Sequence, residues 1–265
     1  MRLFAARQAH QLGINASEWG LRLRPQHVGA AVGSATHRGA EHIMTEFQRT
    51  GELGGEERVR AGREAALDRL SEDLGAGEMT YDSTTTGPNG ATEAVGKLIP
   101  AYHASIDPAV PPFLVEAGLS MTIADTIVVT GHVDLWFIDE TLEDLKTGRR
   151  YPAASSQYGC YSLLARANGH NVKPTFRQRY LPRVAAGKPQ PAPVITDLPQ
   201  GALERQALAT AKAVKRSVEE FQRTGDPDSF LANPQTWLCS NRFCPAFGSK
   251  WCDAWRLKPP AKETT

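Results

Sequence analysis

The sequence predicts an α/β chain of the α+β kind: a mixed central sheet flanked by helices, a helical N-terminal portion and a small cysteine-bearing C-terminal appendage. Three observations carry this. Apolar residues recur at helical spacing over roughly the first hundred positions, the period then changes to that of strands, and beyond that a helix, a strand and a long helix alternate.

In order, SATHRGAEHIMTEFQRT (34–50) has small and apolar residues at helical spacing after Gly33, and EERVRAGREAALDRLSEDL (56–74) reads as a second, heavily charged helix. Residues 75–90 are rich in Gly, Ser and Thr and end in GPNG, a loop. Residues 92–104 return to helix, which DPAVPP (107–112) stops. Segments 113–117, 120–125 and 126–138 are rich in Val, Ile, Thr and aromatic residues, and 142–146 continues them after the turn DET. A helix over 153–168 ends at Gly169, and TFRQRYLPRV (175–184) alternates like a strand whose Pro182 belongs at an edge. The loop GKPQPAP then leads to a long helix at 201–224.

With 265 residues, 41% apolar and 22% charged, the chain can bury one substantial core, or one core and a small appendage. The plan read from these segments is a domain over 1–238 (helical region 1–110, sheet core 111–200, closing helix 201–224) with a cysteine tail over 239–265 packed on it. No apolar run approaches the roughly 20 residues of a membrane span, and MRLFAARQAHQLG has no signal-peptide apolar region, so the cytoplasm is the expected compartment. The net charge of +1 hides an uneven distribution, because residues 145–196 hold nine Lys and Arg and no Asp or Glu. That block is either the footprint of a polyanion or a face balanced by acids from elsewhere in the fold.

The stretch GHVDLWFIDETLEDLKTG (131–148) places acids and a lysine in what is otherwise buried strand. If residues 139–141 make the turn, an even register brings Asp134, Asp144 and Lys146 together on adjacent strands. Two carboxylates so close repel, and a divalent cation such as Mg²⁺ relieves the conflict while binding phosphate oxygens. The alternative is a hairpin with a surface ion pair between Asp144 and Lys146. Glu143 should face away from the pair.

These residues, in this order, resemble the PD-(D/E)XK nuclease superfamily, in particular its RecB-like and CRISPR-associated exonuclease branch, often encoded by phages. Gly131 to Asp134 looks like its G-x-x-D strand, Asp144-Leu145-Lys146 like its (D/E)-x-K strand, Gln157 with Tyr161 like its Q-x-x-x-Y helix, and Gly33 to His37 like its G-x-x-x-H helix start. The resemblance implies a restriction-endonuclease-like sheet and a DNA exonuclease dependent on Mg²⁺ or Mn²⁺. It implies a metal held by His37, Glu116, Asp134, Asp144 and the Leu145 carbonyl, with Asp134, Asp144, Lys146, Gln157 and Tyr161 as the catalytic set. The family pattern gives His132 no role. DNA is the implied partner, in processing, recombination or repair, with a recombination or helicase protein as a further partner and no membrane. Arg149, Arg150, Arg177, Arg179 and Arg183 would track the phosphate backbone. The second reading is a nuclease-like module that binds DNA without cutting it.

The tail WLCSNRFCPAFGSKWC carries Cys239, Cys244 and Cys252 and resembles the same branch's C-terminal cluster, in which one upstream cysteine completes a [4Fe-4S] site. Here no cysteine precedes His37, and Cys160, on the Gln157–Tyr161 helix, reads as a packed thiol. Three alternatives stand: an iron–sulfur cluster with an unusual fourth ligand, Zn²⁺ held by three thiolates and a histidine such as His10 or His27, or a tail without metal.

Overall fold

The computed structural model describes residues 13–21, 25–123, 127–152, 156–232, 239 and 244–257; His10 lies outside them. The chain divides into two compact units, residues 25–209 and residues 1–24 with 210–265. The break expected from the sequence at residue 239 falls inside the second.

The first unit runs β1 (Gln26–His27), α1 (Val28–Thr50), α2 (Glu56–Gly75), β2 (Met79–Thr80), α3 (Pro88–His103), β3 (Pro112–Ile123), β4 (Ile127–Phe137), β5 (Leu142–Gly148), α4 (Ser156–Ala167), β6 (Thr175–Pro182), β7 (Val194–Pro199) and the start of α5 (Gln200–Thr224). Five strands form a mixed sheet in the order β3-β4-β5-β6-β7, with β5 and β6 parallel and the other pairs antiparallel. The α/β architecture with a helical N-terminal portion is therefore as expected. The strand β7 has no counterpart in the sequence pattern; it is short, follows a proline-rich stretch, and pairs Thr175–Tyr180 of β6. That pairing stops before Pro182, whose missing N–H is thus harmless on that side.

Two apolar layers sandwich the sheet. On one face α1, α2 and α3 bury Val32, Ile43, Phe47, Leu98 and Tyr102 against Leu135, Leu145 and Leu181. On the other, Tyr158, Tyr161 and Leu164 of α4 pack on Trp136, Leu142 and Phe176.

The helix α1 begins six residues earlier than its sequence pattern, because His27 caps it by accepting the Gly29 N–H at 2.9 Å on Nδ1. His37 therefore lies inside the helix and not at its start. Gly33 is the residue that lets α1 approach β5, since a Cβ there would stand 3.3 Å from Thr147 Oγ1.

The β3–β4 ribbon reverses its facing midway along. Leu114 and Trp136 pack on the α4 side, and so do Leu119, Met121 and Val133, although strict alternation would put these on the other. The reversal falls where Glu116 and Asp134 would oppose each other, a pair missing from the ladder between Val115↔Leu135 and Ala117↔Val133. Glu116 has φ +47°, in the left-handed region that a non-glycine residue seldom adopts.

In the second unit, Ile14, Phe230, Ala246 and Trp251 form a core with Cys244 and Cys252. Trp251 is met edge-on by Trp19 at 5.4 Å and by Phe221 at 5.3 Å between ring centroids. Among the described residues, no helix is long and apolar enough to cross a membrane.

Candidate metal centre and active site

The strands β4 and β5 pair only at Leu135↔Glu143 and Trp136↔Leu142. Continued by one step, that register sets Asp134 opposite Asp144, as the sequence suggested. There the strands part, and the Asp134 carboxylate fills the gap by accepting the Leu145 N–H at 3.0 Å on Oδ2. The site sits in this fork.

From α1, His37 reaches in with Nδ1 3.4 Å from Asp134 Oδ2. From the reversal in β3 comes Glu116. One donor atom each from His37, Glu116 and Asp134 lies within 4.8 Å of the others, a spacing suited to sharing one cation. The Leu145 carbonyl faces the His37 ring, where it would accept a bond from the protonated imidazole. Asp144 is fully buried beside them, and its Oδ2, although 2.8 Å from the Lys146 ammonium, has no hydrogen bond of its own.

The electrostatics point the same way. Burial pushes the Glu116 carboxyl up to about 7, helped by the nearby Asp134, Glu41 and Asp144. Burial also raises Asp134 and Asp144, the latter further through its neighbour Asp134. Burial lowers His37, favouring the neutral imidazole that a metal requires. Three crowded carboxylates and a neutral histidine fit a divalent cation better than they fit each other.

On the α4 side, Lys146 Nζ donates to Asp144 Oδ1 at 2.9 Å and to Gln157 Oε1 at 3.2 Å. Gln157 Nε2 donates to Tyr161 Oη at 2.5 Å, so the two helix residues one turn apart act as a single brace on the lysine. The sequence missed Tyr158, whose ring lies 5.8 Å beneath the ammonium and whose hydroxyl donates to Gln178 at 2.6 Å. Gly159 holds α4 in place, since a Cβ there would collide with the Leu203 carbonyl. A cleft of about 560 Å³ opens over the acids, with Arg38, Glu41 and Arg69 from α1 and α2 on its wall. Glu41, one turn after His37, was legible from helical spacing alone.

The basic block resolves mostly into internal pairs. Lys146, Arg166, Lys173, Arg177, Arg179 and Arg183 meet Asp144, Glu204, Asp139, Asp197, Glu143 and Asp82 respectively. This corrects the expectation for Arg179 and Arg183, which are buried. Arg179 is buried in a two-pronged bond with Glu143 (2.5 and 2.8 Å), which, as expected, faces away from the site. Arg183 is buried on Asp82 at 2.7 Å and on the Thr85 hydroxyl. Arg177, partly exposed, is held by Asp197 at 3.0 Å. Arg149 and Arg150 are exposed and, among the described residues, have no acidic partner.

None of the four cysteines is in a disulfide. Burial raises the Cys244 thiol, and nearby Cys252 and Cys239 raise it further, while the Ala246 and Phe247 N–H groups point at its sulfur. Among the described residues the one cluster with metal-sharing spacing is that of His37, Glu116 and Asp134, and the three thiols do not form another. Cys160 is half-buried and belongs to the first unit. His27 accepts the Gly29 N–H on Nδ1, and its Nε2 lies 3.7 Å from Asp82.

Compared with protein-family models and with curated proteins, the chain matches none.

Proposed function

We propose that this chain is a metal-dependent DNA nuclease, an exonuclease of the PD-(D/E)XK type in its RecB-like branch, acting in DNA processing, recombination or repair. The observation that carries this is the convergence of His37, Glu116 and Asp134 donors within 4.8 Å, next to an Asp144–Lys146 pair braced by Gln157. A structural ion pair would need the lysine and one acid. It would not need two further half-buried carboxylates and a histidine, whose crowding raises the energy of the metal-free fold.

Mg²⁺ or Mn²⁺, held by His37, Glu116, Asp134, Asp144 and the Leu145 carbonyl, supplies water activation and charge neutralisation on the phosphate. The chain's own groups do the rest. Asp134 fixes the fork by holding the Leu145 N–H. Lys146 presents a localised positive charge where charge develops on the attacked phosphate, and Gln157 and Tyr161 keep its Nζ aimed there. Arg149 and Arg150 remain free to track the backbone, a contact that weakens as salt rises. A recombination or helicase protein that delivers DNA ends is the natural partner for such an activity.

The test is cleavage of end-labelled linear single- and double-stranded DNA. Shortening is expected with Mg²⁺ or Mn²⁺, none after chelation, and none from Asp134→Ala, whose loss removes both a metal donor and the fork's hydrogen bond. Binding without cleavage under all these conditions would instead make the chain a DNA-holding module.

For the second unit, the reading is a [4Fe-4S] cluster on Cys239, Cys244 and Cys252 with a fourth ligand from elsewhere, and Zn²⁺ as the alternative. Freshly purified protein is expected to be brown, with broad visible absorbance that reduction bleaches. A colourless preparation containing zinc would replace the cluster with the second reading.

A further inference from the structure

We propose that Tyr151, flanked by Arg149 and Arg150, is a stacking platform for an unpaired base beside the scissile phosphate, so that the substrate is a single-stranded DNA end. This rests on the nuclease reading for its place in the reaction. Its geometry stands on other residues.

After Gly148 the chain turns back over the face of the sheet that carries Asp144 and Lys146. On that face, Lys146 of β5, Tyr180 of β6 and Val194 of β7 form one row across three strands. Tyr151 lies against this row. Its hydroxyl donates to Thr196 Oγ1 at 2.6 Å, and its ring meets Tyr180 edge-on, with centroids 5.3 Å apart and planes at 77°. Two strand spacings, about 10 Å, therefore separate the platform from the lysine row's start.

The ring is pinned at its tip and along one edge, yet Tyr151 remains 48% exposed. Val194 beside it is 43% exposed, which widens the apolar surface. Fixing an aromatic ring while leaving it open to water gains little for the fold, but it removes in advance the ordering cost of stacking. Arg149 and Arg150 supply the other requirement. The remaining arginines of this stretch, Arg166, Arg177, Arg179 and Arg183, are all paired with acids, whereas among the described residues these two have no carboxylate within ion-pairing distance. Unpaired cations next to an open, rigid ring match a polyanion whose base faces are exposed. A duplex keeps those faces stacked inside and offers phosphates alone, which would not call for the tyrosine.

Binding is measured with Ca²⁺ in place of Mg²⁺, using a fluorescent single-stranded oligonucleotide and a duplex of the same length, on wild type, Tyr151→Ala, Tyr151→Phe and the double Arg149→Gln/Arg150→Gln variant. The expected result is a loss of about 5- to 100-fold in single-strand affinity for Tyr151→Ala, with Tyr151→Phe far closer to wild type because its ring still offers a π face. Duplex affinity should change much less than single-strand affinity in Tyr151→Ala. The double arginine variant should flatten the salt dependence by up to about 1.4 in log–log slope. Equal single-strand binding by Tyr151→Ala, or an equal loss on both DNAs, would overturn the proposal. Hydrolysis of bis(p-nitrophenyl) phosphate by the wild-type protein with Mn²⁺ reports the metal centre with no base involved. If wild type fails that assay while single-strand binding still depends on Tyr151, the nuclease reading fails and the platform stands.

Discussion

Replacing Lys146 by Ala should lower the rate of DNA cleavage by about 10²- to 10³-fold, the usual consequence of removing one positioned donor from a developing anion. DNA affinity should stay within a few-fold of wild type, because the exposed Arg149 and Arg150 are untouched. The ammonium is the one positive charge bonded to the buried Asp144 among the described residues, at 2.9 and 2.8 Å from its two oxygens. It is not required to assemble the His37, Glu116 and Asp134 donors, which come from α1, β3 and β4. Loss of turnover with retained binding is therefore the separation expected of a group that acts on the transition state. Lys146→Met, which keeps most of the stem over Tyr158, should be as inactive as Ala and better folded. Single-turnover cleavage and fluorescence anisotropy on the same preparations decide the matter, and near-wild-type cleavage by either variant would remove Lys146 from the mechanism.

The largest effect on stability is expected from Arg179→Met, at about 3–5 kcal/mol by denaturant unfolding, since it strands Glu143 as a buried charge. Both side chains are almost fully enclosed, and the guanidinium also bonds the Ser105 carbonyl and hydroxyl, each at 2.6 Å. The double variant Arg179→Met/Glu143→Leu should recover most of the loss, because an apolar pair of similar volume avoids the desolvation of both ions. If the double variant is as unstable as the single, the pair does more than neutralise itself. The sequence marks Arg179 as a DNA contact, and this experiment measures what it does instead.

That difference shows where the sequence stops being legible. The candidate site could be read because its members are close in sequence or set by strand and helix period: Asp134 and Asp144 by the register of one hairpin, Gln157 and Tyr161 by one helical turn. The basic block could not, because its partners come from far away, as with Arg183 and Asp82, 101 positions apart. Composition showed nine cations without acids over 145–196, but only the fold could show which of them are already matched. The sequence pattern starts α1 late because Gly29 and Gly33 weaken local propensity, while the His27 cap and the burial of Val28, Ala31 and Val32 in the core sustain its first turns. The strand β7 was hidden for the opposite reason, since its pairing to β6 outweighs a proline-rich approach.

Glu116 could be named from the sequence, but its backbone could not. With φ +47° it occupies a conformation that glycine would adopt without strain, and a carboxylate there is further burdened by burial and by three acidic neighbours. Position 116 is therefore a place where selection for a sturdier protein and selection for a working one favour different residues. If Glu116 is the metal donor proposed above, drift toward stability would erase it first, leaving a molecule with the same outline and a weaker hold on its ion.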